Sequence, residues 1–144
     1  MNERRQAPAP CCAPPSGPPA QAMFPKSNEA PAQARAYVRD LLAHDDAPLD
    51  DERLDDVLLI VSELVTNAYR YGTEPEESVL VAVLTTAERV RVEVHDPRRT
   101  RPHMRNESGE RARGRGLHIV DSLAARWGTD DRPFGKAVWA EVKR

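Results

Sequence analysis

Glu63 and Asn67 stand four residues apart in the run Val61-Ser-Glu-Leu-Val-Thr-Asn-Ala68. On a helix that spacing puts both side chains on one side, a turn apart. An amide oxygen is a hard, neutral ligand for hydrated Mg²⁺, and a neighbouring carboxylate can hold water or take a proton. The plain alternative is a solvated polar face. A second constellation is Gly114-Arg115-Gly116, directly ahead of Leu117. Glycines let a backbone approach an anion closely, and a helix start offers free N–H groups and a positive dipole end, so a phosphate fits there. An ordinary loop-to-helix turn has the same composition. Asp96 closes an alternating run, where a strand-end carboxylate can accept a hydrogen bond from an exocyclic amine; Asp-Pro is also a common turn opener. Finally, seven arginines (Arg98, Arg99, Arg101, Arg105, Arg111, Arg113 and Arg115) against Glu107 and Glu110 give segment 98–115 a net charge of +5. Such a run can screen polyphosphate, contact nucleic acid or simply keep a loop solvated; no aromatic residue interleaves it for base stacking.

Regular elements must position these groups. A first helix is expected to reach about Ala43, capped by Ser27 or Asn28, with Ala34, Tyr37, Val38, Leu41 and Leu42 on one face. A second, capped by Asp50 and favoured by Asp51 and Glu52 in its first turn, runs to about Gly72. Its stripe of Leu54, Val57, Leu58, Val61, Leu64, Val65 and Ala68 has helical spacing throughout. Glu63 and Asn67 lie roughly 100–140° from the centre of that stripe, on the flank that does not pack. Two strands follow, Ser78–Thr86 and Val90–His95, joined tightly through Ala87-Glu88. The stretch Pro97–Arg113 has no period, as in a lid or a disordered loop. A third helix is expected from Leu117 to about Arg126, then strands near Trp127–Asp130 and Lys136–Val142 around the turn Asp131–Gly135. The simplest burial of these stripes is an α/β (α+β) two-layer sandwich, with helices on one face of a mixed, mainly antiparallel sheet.

The chain of 144 residues is 40% hydrophobic and 31% charged with net charge −2, which suits one domain and excludes collagen-like or wholly disordered chains. Eight of its 13 prolines fall within the first 31 residues, so residues 1–22 read as a disordered Pro/Ala-rich tail and 23–144 as the folded domain. Cys11 and Cys12 are adjacent in that tail, with no nearby histidine or further cysteine for a metal site and no disulfide framework. No apolar run approaches the ~20 residues that cross a bilayer. The charged start Met1-Asn-Glu-Arg-Arg5 is followed by Pro and Ala instead of an apolar stretch, so the expected location is cytoplasmic. Balanced charge argues against a whole-domain grip on nucleic acid.

The order of these signals is more telling than any one of them. A helix bearing Glu63-Leu-Val-Thr-Asn67-Ala68, a hairpin ending in Asp96, a variable loop, and Gly114-Arg-Gly-Leu117 opening a helix resembles the GHKL superfamily of ATPases and kinases. Within it, the chain is most similar to single-domain anti-sigma-factor serine/threonine kinases, which carry a histidine kinase-like ATPase domain. The resemblance covers about residues 23–143 and includes the closing Gly135-Lys-Ala-Val-Trp139. It implies the Bergerat-type fold, with ATP between the helices and a lid over 97–113. It implies ATP and Mg²⁺ as cofactors, with Asn67 as the magnesium ligand, Glu63 as the general base or orienting acid, and Asp96 as the adenine reader. Gly114 and Gly116, flanked by Arg113, Arg115 and Leu117, would hold the phosphates. The implied partners are an anti-anti-sigma (STAS-type) protein, a sigma factor, or both, with room for a homodimer. A non-catalytic anti-sigma-type binding module of the same fold is the alternative. Two departures stand out. The family's Asp-x-Gly is Asp96-Pro97-Arg98 here, and the missing glycine is expected to weaken or reshape the nucleotide pocket. Lys136 stands near a small hydroxyl residue of many relatives, and is expected either to contact phosphate or to face solvent.

Overall fold

A computed structural model describes residues 19–71, 77–96, 117–133 and 135–144. Its elements, in chain order, are β1 (Ala20–Pro25), α1 (Ala30–Ala43), α2 (Asp51–Tyr71), β2 (Ser78–Thr85), β3 (Arg89–Asp96), α3 (117–123), β4 (Arg126–Arg132) and β5 (Gly135–Lys143). The five strands form one sheet in the order β1-β2-β3-β5-β4, with every neighbouring pair antiparallel. The helices cover one face. This is the expected two-layer α/β sandwich, although its sheet is antiparallel throughout the described residues, not mixed.

Alternation decides which side chains meet the helices. Val79, Val81 and Val83 of β2, Val90, Val92 and Val94 of β3, and Val138, Ala140 and Val142 of β5 are buried in one core. Against them α2 packs Val57, Leu58, Val61, Leu64, Val65 and Ala68, with Ile60 and Tyr69 widening the stripe and Leu54 half-buried at its start. α1 adds Ala30, Ala34, Val38 and Leu42, while Tyr37 and Leu41 sit half-buried beside them. Asp50 caps α2 as expected, its Oδ1 accepting the Arg53 N–H at 2.8 Å. At α1 the N-cap is Glu29, not Ser27 or Asn28. Ser27 still shapes the entry: its Oγ accepts the Glu29 N–H and its carbonyl the Ala30 N–H, each at 3.2 Å. Pro31 falls in the first turn, where a missing N–H costs nothing.

Two expectations need correction. β1 has no counterpart in the sequence reading, and its first three residues lie within the segment read as disordered tail. Ala20, Ala22 and Phe24 pair with Val83, Val81 and Val79, and Phe24 packs edge-on to Tyr37 with ring centroids 5.9 Å apart. Alanines and a closing proline lack the β-branched signature, so the strand is created by its neighbour β2. The third helix ends at Leu123, short of Arg126, because Arg126 already starts β4 opposite Glu141. In the β2–β3 hairpin, Thr86 makes the turn, its Oγ1 accepting the N–H groups of Glu88 and Arg89 at 3.2 and 3.1 Å.

The sheet face away from the helices carries a charge lattice around one tryptophan. Glu141 accepts from Arg126 at 2.8 Å and from Arg91 at 3.0 Å, and Glu93 accepts from Arg91 at 2.7 Å and pairs with His95 at 2.8 Å. The Arg91 guanidinium lies 4.2 Å from the Trp139 ring centre. Gly128, facing Trp139 across the β4–β5 pair, has no room for a side chain: a Cβ there would lie 2.9 Å from the indole. No helix among the described residues is long and apolar enough to cross a membrane.

Candidate functional site

Glu63 and Asn67 sit on the C-terminal half of α2, both half-buried and one turn apart, outside its core stripe, with Asn67 on the row of the buried Ile60. Among the described residues no side chain hydrogen-bonds to either group. The amide and the carboxylate are therefore available to a ligand along the helix flank. The polar residues Thr66 and Arg70 continue this face. With Tyr69 they border an open cleft of about 610 Å³ whose other wall is Lys26, Ser27 and Asn28 from the β1–α1 connection and Pro31 of α1; Glu63 and Asn67 are not among its lining residues.

Asp96 lies at the same end of the molecule. Tyr69, two residues beyond Asn67, donates its hydroxyl to the Phe24 carbonyl. Phe24 pairs with Val79, and β2 is followed across the sheet by β3 and β5, on which Asp96 and Lys136 are direct partners. α2 also packs on β3 and β5, and the Tyr69 contact puts its C-terminal end at the end of the sheet that carries Asp96 and Lys136.

The structure overturns one of the two expectations for Lys136, that it faces solvent. Its side chain is 3% exposed, and its Nζ lies 3.2 and 3.1 Å from the two carboxylate oxygens of Asp96, itself 0% exposed. Strand parity explains this. Lys136 is in phase with Val138, Ala140 and Val142, and Asp96 with Val90, Val92 and Val94, so both point to the helix side. That phase is legible in the sequence and puts both side chains on the core side; the β3–β5 register then brings them together. Gly135, immediately before Lys136, has φ 146°, a region open to glycine and strained for other residues, and the chain enters β5 through it. Asp96 is thus no turn residue but a buried strand-end carboxylate bound to a cation.

Leu117 is half-buried at the start of α3, and Val120 of the same helix is fully buried in the core. Arg113, Gly114, Arg115 and Gly116 lie outside the described residues, as do the 97–113 segment and Cys11 and Cys12.

Helices over one face of an antiparallel sheet, with an acid–amide couple on the second helix and a carboxylate at the end of the third strand, define an ATPase-type sandwich. The family comparison agrees: the model of the histidine kinase-like ATPase domain matches residues 24–142, and the chain belongs to that family. No curated protein matches the chain. Membership implies ATP binding. By their chemistry Asn67 would offer a neutral oxygen and Glu63 a carboxylate to a magnesium-bound phosphate. If Asp96 is the group that meets the base, as the resemblance implies, a base amine would reach it only once the Asp96–Lys136 pair has opened.

Proposed function

We propose that the protein is an ATP- and Mg²⁺-dependent serine/threonine kinase that regulates a sigma factor, by phosphorylating a small anti-anti-sigma-type (STAS) partner, by holding the sigma factor, or both. The observation that carries this reading is the Glu63/Asn67 couple, half-buried and without a protein partner among the described residues, in a chain of the histidine kinase-like ATPase family. Bound Mg²⁺·ATP supplies the transferable phosphoryl group and much of the neutralising charge. The protein's part is positioning and proton handling. Asn67 orients the magnesium–phosphate end through its amide oxygen, and Glu63 accepts the proton of the target hydroxyl. Arg113 or Arg115 offsets charge on the transferring group, and the backbone of Gly114 and Gly116 grips the phosphates. These last roles rest on the motif order alone. Radiolabelled ATP with the cognate acceptor tests the reading: label passes to the acceptor with the parent protein and not with Glu63→Ala. Full labelling by Glu63→Ala would remove Glu63 from the mechanism.

A second reading is favoured by one specific observation. The carboxylate assigned to adenine is already bound by Lys136. A non-catalytic module that holds its partner and binds nucleotide weakly or not at all would have this appearance. Titration calorimetry with Mg²⁺·ATP separates the two, since the module gives no heat at millimolar nucleotide.

A further inference from the structure

The Asp96–Lys136 pair is the feature of the candidate site that the proposed reaction does not use. An ammonium and a carboxylate that are both out of solvent hold each other firmly, because neither has water to fall back on. The register fixes them further: Asp96 and Lys136 are direct cross-strand partners, and Asp131, on the other side of Lys136, is next in the row. Lys136 thus stands between two acidic residues, one of them buried. A base amine that seeks the Asp96 carboxylate must compete with a full positive charge already in contact with it.

We propose that Lys136 is an internal latch on the base pocket. In the resting protein it occupies Asp96 and holds nucleotide affinity down, and binding requires the ammonium to withdraw so that a purine amine takes its place. Lys136 is a positioning residue here, acting on the nucleotide only through Asp96. The latch also sets which ligands are disfavoured. A purine with an exocyclic amine gains the carboxylate only by breaking the ion pair. Inorganic polyphosphate, which has no base, pays no such cost. The inference rests on the reading of Asp96 as the base-recognising group, and hence on the proposed ATP site.

The test is equilibrium binding of Mg²⁺·ATP and of inorganic triphosphate to the full chain and to three variants. Lys136→Met takes the ammonium off Asp96 and is expected to bind ATP about tenfold or more tightly than the parent, with triphosphate affinity changed little. A merely structural lysine would weaken or leave unchanged both ligands, and a lysine that touches the base would make ATP binding weaker in the variant; either result overturns the latch. Methionine removes the cation from a buried carboxylate, so Lys136→Gln, which keeps a neutral donor against it, is the second variant, and thermal melting confirms that each is folded. It is expected to bind ATP more tightly than the parent by a smaller factor. Asn67→Ala separates the two levels of the argument. If it abolishes ATP binding while Lys136→Met fails to strengthen it, the ATP site stands and the latch falls. If neither the parent nor any variant binds ATP, both fall together.

Discussion

Asp96 and Lys136 face each other across β3 and β5 with nitrogen–oxygen separations of 3.2 and 3.1 Å, on the helix side of the sheet and out of solvent. Removing one partner from such a pair strands the other charge, which typically costs about 3–5 kcal/mol, whereas removing both at constant volume is close to neutral. Lys136→Met alone is expected to lose stability in that range, and the double variant Asp96→Asn/Lys136→Met to lie within about 1–2 kcal/mol of the parent. Urea unfolding of the four proteins in the cycle checks this. Additive losses would mean that the two groups do not act on each other.

Trp139 makes a second, independent prediction. It is 6% exposed, covered by the Arg91 guanidinium and seated against Gly128, where a Cβ would meet the ring at 2.9 Å. Gly128→Ala therefore overpacks a site that cannot give way cheaply, with an expected loss of about 1–3 kcal/mol. Trp139→Ala should lose more, about 3–5 kcal/mol, through the cavity it leaves. Chemical denaturation monitored by far-ultraviolet dichroism measures both without relying on the tryptophan signal.

Much of the architecture is written in the chain. The stripe Val57-Leu58-Val61-Leu64-Val65-Ala68 makes α2 unmistakable, and Val90, Val92 and Val94 announce β3 by strict alternation. β1 is different: Ala20-Gln-Ala-Met-Phe-Pro25 becomes a strand only because β2 offers a free edge, which no local signal reveals. At the site, the Glu63–Asn67 spacing is legible because a helix has a fixed pitch. The Asp96–Lys136 contact joins residues 40 positions apart and depends on strand order. Parity shows that both face the core, but only the β3–β5 pairing shows that they face each other.

Acid should weaken the fold through the sheet's charge lattice. Burial pushes the Glu93 carboxyl up, but hydrogen bonds and charge from His95 and Arg91 outweigh it and hold the carboxyl down at about 2; Glu141 is likewise lowered by Arg126 and Arg91 against its own burial. A carboxylate whose folded pKa is depressed stabilises the protein above the unfolded value. That contribution is lost as pH falls from about 4.5 through about 2. With screening at the sheet surface, the Glu93 part is on the order of 2 kcal/mol. Stability measured between pH 6 and 2 should fall steeply in the parent and less steeply in Glu93→Gln. Equal slopes would remove Glu93 from the acid response.

Asn67 and magnesium should act as one unit. If the amide oxygen ligates the ion, Asn67→Ala and removal of Mg²⁺ by chelation each weaken nucleotide binding by about tenfold or more, and the two losses do not add. Titrations in excess Mg²⁺ and in excess chelator, with parent and variant, form the cycle. Additive losses would place the ion away from Asn67.

The most direct test of the account is calorimetric titration of the full chain with Mg²⁺·ATP, alone and with Asn67→Ala. The account predicts saturable binding with a Kd below about 1 mM for the parent and its loss in the variant. Absence of heat from the parent, with the Asp96–Lys136 pair intact in a structure determined at saturating ATP analogue, would contradict it.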